Sequence, residues 1–321
     1  MYSFVSVFAE KLDAMMQFRT ARGYKPDTYL RHYIKFDKHC NLLSCENSHL
    51  TMDLVLGWLE SDQSHELASR ATAIRMFGKY LDAIGEIAYI LPNKYAIGGK
   101  PSSPYIFTDD ELTALFYEID RLKPTMNEPF ISEIAPVLFR LTYTCGLRPN
   151  ESRDLLRDNV NLDTGEILIT DTKHNKERLV VMSDDMLDMS RRYEFRRCVF
   201  SCGSPFFFPS NDGGPIKREK VYSTLGKAWR AARRGFSPSS ARTVRVYDLR
   251  HRFASACLNR WLDCGENLMA MLPYLRTYMG HGTLNETAYY IHILPENIIN
   301  STAIDWGLFN SILPEVDVCI D

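Results

Sequence analysis

Three side chains in separate parts of the sequence could together act on a phosphate ester. Arg148 lies in a glycine–proline turn before a new helix, and Arg250 lies in a helical run. A guanidinium group can hold two phosphate oxygens at once. Tyr290 carries a hydroxyl that can form a covalent bond to phosphorus. The energy of the broken ester bond is then stored in the new bond between the tyrosine and the phosphate. This set predicts phosphodiester chemistry through a covalent intermediate.

Two basic side chains could supply the remaining proton transfers and hydrogen bonds. Lys173 lies in the polar segment 171–176, and a lysine close to the phosphate can protonate a departing 5′ oxygen. His281 lies nine residues before Tyr290, and its imidazole could donate to the phosphate or orient the nucleophile. Because side chains supply every group, we expect no cofactor and no metal ion.

Two of these residues also have a purely structural explanation. Arg148 could form an ion pair with Glu151 at the start of a helix, and His281 could be a buried histidine whose hydrogen bonds are satisfied. Any one of these segments alone would be weak evidence of catalysis. The combination, rather than any one member, favours a catalytic interpretation.

Two positions have a direct competitor in the sequence. Lys176 lies in the same polar segment as Lys173. Tyr289 precedes Tyr290, and adjacent helical residues point about 100° apart, so only one of the two can face a phosphate.

These segments, in this order, resemble those of the tyrosine recombinases, the family of phage integrases and chromosome-dimer-resolution enzymes. That family has a Gly-Leu-Arg turn followed by glutamate, a hairpin lysine, a His-x-x-Arg box, a Leu-Gly-His box and then a nucleophilic tyrosine. The resemblance spans residues 107–293. It places five residues of this chain on the family positions, namely Arg148, Lys173, Arg250, His281 and Tyr290.

The resemblance implies a site-specific DNA recombinase, or integrase, that cuts and rejoins strands through a 3′-phosphotyrosyl intermediate. It also implies binding to double-stranded DNA and assembly of a tetramer on two DNA sites. Accessory DNA-bending proteins or a partner recombinase are further candidate partners. The alternatives are a relaxing enzyme similar to topoisomerase IB, and a catalytically silent DNA-binding regulator on the same scaffold.

One position departs from the family pattern. Tyr247 stands where the His-x-x-Arg box usually begins with histidine. A phenol can donate a hydrogen bond but stays neutral up to a pKa near ~10, so it should stabilise the transition state less than an imidazolium. We include Tyr247 among the candidate catalytic residues, with His251, four residues later, as an alternative donor.

The charge of the chain is distributed unevenly. The formal net charge is −2, but residues 173–252 contain 18 Lys and Arg against 8 Asp and Glu. Residues 286–321 contain six acidic residues and no Lys or Arg. The basic block could neutralise several phosphates, whereas DNA would repel the acidic end.

The composition predicts a cytoplasmic protein with no membrane partner. No apolar stretch approaches the ~18 residues of a membrane span, and the first residues lack the pattern of a signal peptide. The eight cysteines are scattered over 321 residues, which does not resemble the dense pattern of a secreted disulfide scaffold.

The predicted elements give a mainly α fold with a small antiparallel β-sheet. Helical apolar spacing covers residues 1–90, which the resemblance identifies as a helical core-binding domain of the SAM-like type. Residues 91–106 are rich in proline and glycine and are predicted to be a linker. Residues 107–321 form the predicted α+β catalytic domain, which opens with a capping box at Thr108 and contains two short apolar strands around segment 171–176.

The acidic end, residues 295–321, forms a separate prediction. Apolar residues recur there at roughly helical spacing on a segment whose charges are all negative. The resemblance implies that this segment docks on a neighbouring protomer, and the alternative is that it packs on its own domain.

Overall fold

The computed structural model describes residues 3–24, 29–43, 49–61, 66–96, 104–126, 128–170, 177–201, 203–235 and 243–291. Lys173, Lys176 and segment 295–321 lie outside these described residues. The chain divides into two compact units, residues 1–103 and 104–321. No helix among the described residues is long and apolar enough to cross a membrane.

Within its described residues, the first unit has four α-helices around an aromatic core. Phe36 on the second helix lies between Phe8 at 5.7 Å and Trp58 at 5.3 Å, measured between ring centroids, and it also contacts Phe77. Buried aromatic side chains at helical spacing explain why these segments pack as helices. The helices are α1, Ala9–Ala21; α2, Leu30–Leu42; α3, Met52–Glu60; and α4, Leu67–Ala83.

The start of the predicted linker packs on the first unit. Leu91 is 1 % exposed and belongs to the first core, and residues Asn93–Ala96 form a short 3₁₀ turn. The Arg75 guanidinium donates to the main-chain oxygens of Leu91 at 2.6 Å and Pro92 at 2.8 Å.

The second unit is mostly helical. Its first helix begins with the predicted capping box, in which Thr108 Oγ1 accepts from the Glu111 amide and the Glu111 carboxylate accepts from the Thr108 amide. The helices are α5, Asp109–Asp120; α6, Ile131–Thr144; α7, Pro149–Arg153; α8, Asp184–Ser201; α9, Arg218–Ala232; α10, Val246–Asp263; α11, Leu268–Met279; and α12, Leu284–Ala288. Short 3₁₀ turns cover Arg157–Asn159 and Arg233–Gly235.

A two-stranded antiparallel sheet lies within this unit. Strands β1, Glu166–Ile169, and β2, Arg178–Val181, pair with Glu166 opposite Val181 and Ile169 opposite Arg178. Ile167, Ile169 and Val180 are buried in the core of the unit. The structure confirms the predicted fold class, a mainly helical chain with a small antiparallel sheet.

Candidate active site

A glycine turn at the end of α6 begins the site. Gly146 has a φ of +59°, and a Cβ atom there would lie only 2.4 Å from the ring of Phe253. Glycine is therefore needed both for the backbone conformation and for the close approach of α10. The turn brings Arg148 to the start of α7, where Pro149 occupies the first helical position.

Arg148 is held by a carboxylate and by a main-chain carbonyl. Its Nη1 donates to Glu151 Oε1 at 2.7 Å, and its Nη2 donates to the carbonyl oxygen of Gly280 at 2.6 Å. The ion pair with Glu151 considered in the sequence is thus present, and it holds the guanidinium beside the other residues of the site. The Arg148 side chain remains about one-fifth exposed.

Glu151 also binds Arg178, a residue that the sequence analysis missed. The Arg178 guanidinium donates to Glu151 Oε1 at 2.9 Å and Oε2 at 2.7 Å, and its Nε donates to the Tyr278 carbonyl at 2.8 Å. Burial alone would raise the pKa of Glu151, but the hydrogen bonds and charges of Arg178 and Arg148 outweigh burial and lower that pKa to about 2.

A signal for Arg178 was present in the pattern of β2. Cross-strand partners point to the same face of a sheet, and Arg178 pairs with the buried Ile169. A charged residue on the inner face of an otherwise apolar strand predicts a buried partner of opposite charge.

Arg250 lies on α10 and is fully buried. Its Nη1 donates to the carbonyl of Gly146 and its Nη2 to the carbonyl of Met279, both at 2.7 Å. The guanidinium has 0 % exposure, and Nη1 lies 3.9 Å from Glu151 Oε2. The Glu151 carboxylate therefore lies close to three guanidinium groups.

His281 follows the glycine that ends α11. Gly280 adopts a left-handed conformation with a φ of +65°, and the ring of buried His281 then contacts Thr287, with Nδ1 2.7 Å from Thr287 Oγ1. Burial, helped by the charges of Arg250, Arg148 and Arg178, lowers the pKa of His281 to about 3. The imidazole is therefore neutral at neutral pH, and the contact with Thr287 fixes its orientation.

Tyr290 lies two residues after α12, inside the same cluster. It is 2 % exposed, whereas Tyr289 is 43 % exposed. Its ring is stacked on His281 with a centroid distance of 6.0 Å, and its Oη lies 3.2 Å from His251 Nδ1. Burial raises the pKa of Tyr290 to about 12 against the opposing charge of Arg250, so the hydroxyl is protonated at neutral pH.

Tyr247 and His251 lie one helical turn apart on α10. Both are half-buried, and their ring centroids are 5.0 Å apart. The Tyr247 hydroxyl lies near Arg148 and Arg250 and favours the charged form of both. Burial lowers the pKa of His251 to about 4; Asp248 opposes this shift, and Arg245 and Arg250 add to it.

The structure therefore brings five of the six candidate residues into one cluster, and the sixth, Lys173, lies outside the described residues. The five are Arg148, Tyr247, Arg250, His281 and Tyr290. Arg178 and Thr287 were not anticipated. The hydroxyl of Thr287 gives no sequence signal, because its contact with His281 depends on the turn between α11 and α12.

Known proteins of one family are similar in sequence to this chain over most of its length. Residues 108–297 match the model of the phage integrase family. The protein y4rB of Sinorhizobium fredii, which carries the name integrase/recombinase, is 27 % identical over 309 residues, covering 91 % of this chain and 95 % of the relative. The tyrosine recombinase XerD of Pseudomonas putida is 31 % identical over 251 residues, covering 75 % of this chain and 77 % of XerD.

A solved structure supports the fold. The XerH site-specific recombinase bound to difH substrate, in a pre-cleavage complex, aligns with a TM-score of 0.58 at 19 % identity, covering 89 % of this chain and 82 % of XerH. The family match over more than half of the chain, together with the relatives, shows that this chain belongs to the phage integrase family of tyrosine recombinases.

Proposed function

We propose that this protein is a site-specific DNA recombinase that cuts and rejoins DNA through a covalent 3′-phosphotyrosyl intermediate, with Tyr290 as the nucleophile. The observation that carries the proposal is the convergence of Arg148, Arg250 and His281 on the buried hydroxyl-bearing side chain of Tyr290. A nucleophile beside two guanidinium groups fits attack on a phosphodiester better than any other chemistry.

The two arginines would stabilise the transition state. Attack on phosphorus adds negative charge to the non-bridging oxygens, and fixed guanidinium donors in a buried site interact strongly with that charge. Arg250 has five N–H groups, and its two hydrogen bonds to carbonyls leave others for an oxygen ligand.

The other candidates would complete the reaction. Lys173 would protonate the departing 5′ oxygen as a general acid. His281, held by Thr287, would donate to the phosphate, and Tyr247 would act as a neutral donor in the position of the usual histidine.

The burial of Arg250 and Tyr290 limits the access of a DNA phosphate to the site. Arg250 has no exposed surface and Tyr290 has very little, so a phosphate can contact them only after part of their surroundings shifts. We therefore expect DNA binding and strand cleavage to be separable steps.

The proposed substrate is double-stranded DNA, bound as two sites by a tetramer. The related XerH structure contains its difH substrate, and the 18 basic residues of segment 173–252 suit a phosphate backbone. Within this proposal, residues 1–90 act as the core-binding domain, residues 91–106 as the linker and residues 107–321 as the catalytic domain. Detection of strand exchange between two marked duplexes would support recombination over simple relaxation.

Removal of the Tyr290 hydroxyl tests the proposal directly. The substrate is a library of nicked duplexes with randomised sequence, from which covalent protein–DNA adducts are captured after denaturation in detergent. We expect Tyr290→Phe to abolish adducts while leaving DNA binding nearly unchanged, because one hydroxyl is lost and the phosphate contacts remain. Tyr289→Phe is the matched control and should form adducts normally. Adducts that persist in Tyr290→Phe but vanish in Tyr289→Phe would assign the nucleophile to the neighbouring residue.

A further inference from the structure

His251 is a titratable side chain in the site that the proposed phosphotyrosyl mechanism leaves without a role. Its Nδ1 lies 3.2 Å from the Oη of Tyr290, and the two ring centroids are 5.4 Å apart. It directly follows Arg250 on α10, so the same helix that places the buried guanidinium also places this imidazole.

The other basic side chains near the phenol are not placed to accept its proton. Arg148 and Arg250 have only donors, because a guanidinium has no free lone pair at neutral pH. His281 has its Nδ1 against Thr287, and its ring lies nearly parallel to the Tyr290 ring, with an angle of 16° between their planes. Among these described neighbours, His251 is the one whose ring nitrogen is within hydrogen-bond distance of Oη.

His251 is also in the correct protonation state for this task. Burial keeps its pKa low, at about 4, so the imidazole is neutral at neutral pH and can present a lone pair at Nδ1. Tyr247 packs against the same ring, so the phenol that replaces the usual histidine supports His251 from the preceding turn.

We propose that His251 is the general base that accepts the Tyr290 proton during attack, an inference that rests on the proposed phosphotyrosyl mechanism. In this step the proton moves from Oη to His251 Nδ1, a bond forms between Oη and phosphorus, and the bond between phosphorus and the 5′ oxygen breaks. The 5′ oxygen takes a proton from the general acid. In rejoining, the 5′ hydroxyl attacks phosphorus and gives its proton back to the general acid, while the tyrosyl oxygen leaves and takes the proton that His251 returns to it.

The low basicity of His251 does not prevent this role. A phenol oxygen becomes far more acidic as its bond to phosphorus forms, so its proton is lost during attack rather than before it. A base whose pKa lies between those of the free phenol and the phosphorylated oxygen can accept that proton in the transition state. The charge that develops on the phosphate would in turn stabilise the imidazolium.

Two substitutions separate proton transfer from hydrogen bonding. His251→Asn keeps an oxygen near the position of Nδ1 that can accept a hydrogen bond but cannot take the proton, and His251→Ala removes both functions. We expect both variants to slow single-turnover adduct formation on the nicked-duplex library by on the order of 10²-fold or more. DNA binding and the midpoint of thermal unfolding serve as folding checks, and Tyr289→Phe is the control for a neighbouring change.

A sulfur leaving group distinguishes a base from an acid. When the 5′ bridging oxygen is replaced by sulfur, the leaving group needs no proton, so a variant that lacks the general acid should recover its rate. We expect Lys173→Ala to be rescued by this substrate and His251→Asn to remain slow, because its defect lies in activation of the nucleophile.

Several results would overturn the inference. If His251→Asn forms adducts at a rate within about threefold of that of the unaltered protein, a hydrogen bond to Tyr290 is enough and no proton transfer to residue 251 is needed. An unchanged or faster rate for His251→Ala would show that the histidine is dispensable or restrains the tyrosine. Rescue of His251→Asn by sulfur would place the residue on the leaving-group side. Failure of the unaltered protein to form any adduct would instead refute the proposed function, and the inference with it.

Discussion

Glu151 is the residue on which the charge balance of the site depends. Its carboxylate lies within 2.7 Å of nitrogen atoms of both Arg148 and Arg178, and Arg250 lies 3.9 Å away. Removal of one charge from a buried ionic cluster leaves the opposite charges without compensation, which is strongly destabilising. Glu151 is therefore as important to the site as the arginines themselves.

We expect Glu151→Gln to lower the free energy of unfolding at pH 7 by about 3 kcal/mol. Because the folded protein lowers the pKa of Glu151 to about 2, its stabilising effect is complete above the unfolded value of 4.5 and is lost as the pH falls toward 2. The difference in the free energy of unfolding between the variant and the unaltered protein should therefore become smaller below pH 4.5. Thermal unfolding across this pH range measures it, with exposed Glu219→Gln as the control. An equal difference at every pH would contradict the assignment.

His251 and His281 should make the stability of the protein depend on pH in a higher range. Folding lowers their pKa values to about 4 and about 3 from 6.5, so below pH 6.5 the unfolded chain binds protons that the folded chain does not. Stability should thus fall as the pH drops from 6.5 toward 4, by up to about 1.4 kcal/mol per pH unit for each histidine.

The double variant His251→Asn and His281→Asn tests this dependence. We expect its midpoint of thermal unfolding to change less between pH 7 and 5 than that of the unaltered protein. The assignment is wrong if the double variant and the unaltered protein lose stability in parallel.

At the scale of elements, the turn between α6 and α7 determines the position of both arginines. Gly146 provides a left-handed backbone conformation, the space for Phe253 and the carbonyl that accepts from Arg250. The start of α7 then orients Arg148. A substitution that changes the backbone conformation of this turn should therefore displace the guanidinium groups of both Arg148 and Arg250.

Gly146→Ala should lower both stability and cleavage rate. The strain of an alanine at positive φ costs about 1 kcal/mol, and the contact with the Phe253 ring must also be relieved by a shift of the turn. Gly265→Ala is the matched control, because Gly265 has a φ of +74° but open space at the Cβ position. We expect the control to lose only stability. Equal cleavage rates for the two variants would show that the turn does not position the arginines.

Local sequence patterns predicted most elements but not all contacts of the site. The capping box at Thr108 and the two β-branched runs identify a helix start and two strands, because these signals act within a few residues. Arg178 was missed because its partner Glu151 is 27 residues away, and only the tertiary fold brings the two together. The Thr287 contact was missed for a similar reason, since it depends on the path of the backbone after α11.

At the scale of the whole molecule, assembly of the site requires segments that are distant in sequence. Arg148 binds a carbonyl 132 residues away, and Arg250 binds carbonyls 104 and 29 residues away. Periodicity and propensity contain no information on such pairings, so only the resemblance to a family made the grouping of these residues predictable. The place of Tyr247 and Tyr290 in the cluster agrees with that grouping, and their catalytic roles remain predictions.

We expect strand cleavage to proceed in EDTA and without nucleotide. The proposed nucleophile, proton donors and anion-binding groups are all side chains, so the ester bond energy is kept in the phosphotyrosyl linkage. Adduct formation on the nicked-duplex library, with and without chelator, measures this directly. A strict requirement for magnesium or manganese would point to a metal-dependent nuclease mechanism instead.

The carbonyls that hold the two arginines belong to Gly146, Met279 and Gly280. A main-chain acceptor is present whatever side chain the residue carries, so its existence depends on the path of the backbone and not on the codon at that position. Genetic drift can therefore replace the residue at Met279 without removing the acceptor, whereas any change of Arg148 or Arg250 removes the donor. A saturation mutagenesis scan should accordingly find intolerance at the arginines and tolerance of apolar residues at Met279. It should also find restriction at the two glycines because of their positive φ angles and, at Gly146, because of the nearby Phe253 ring.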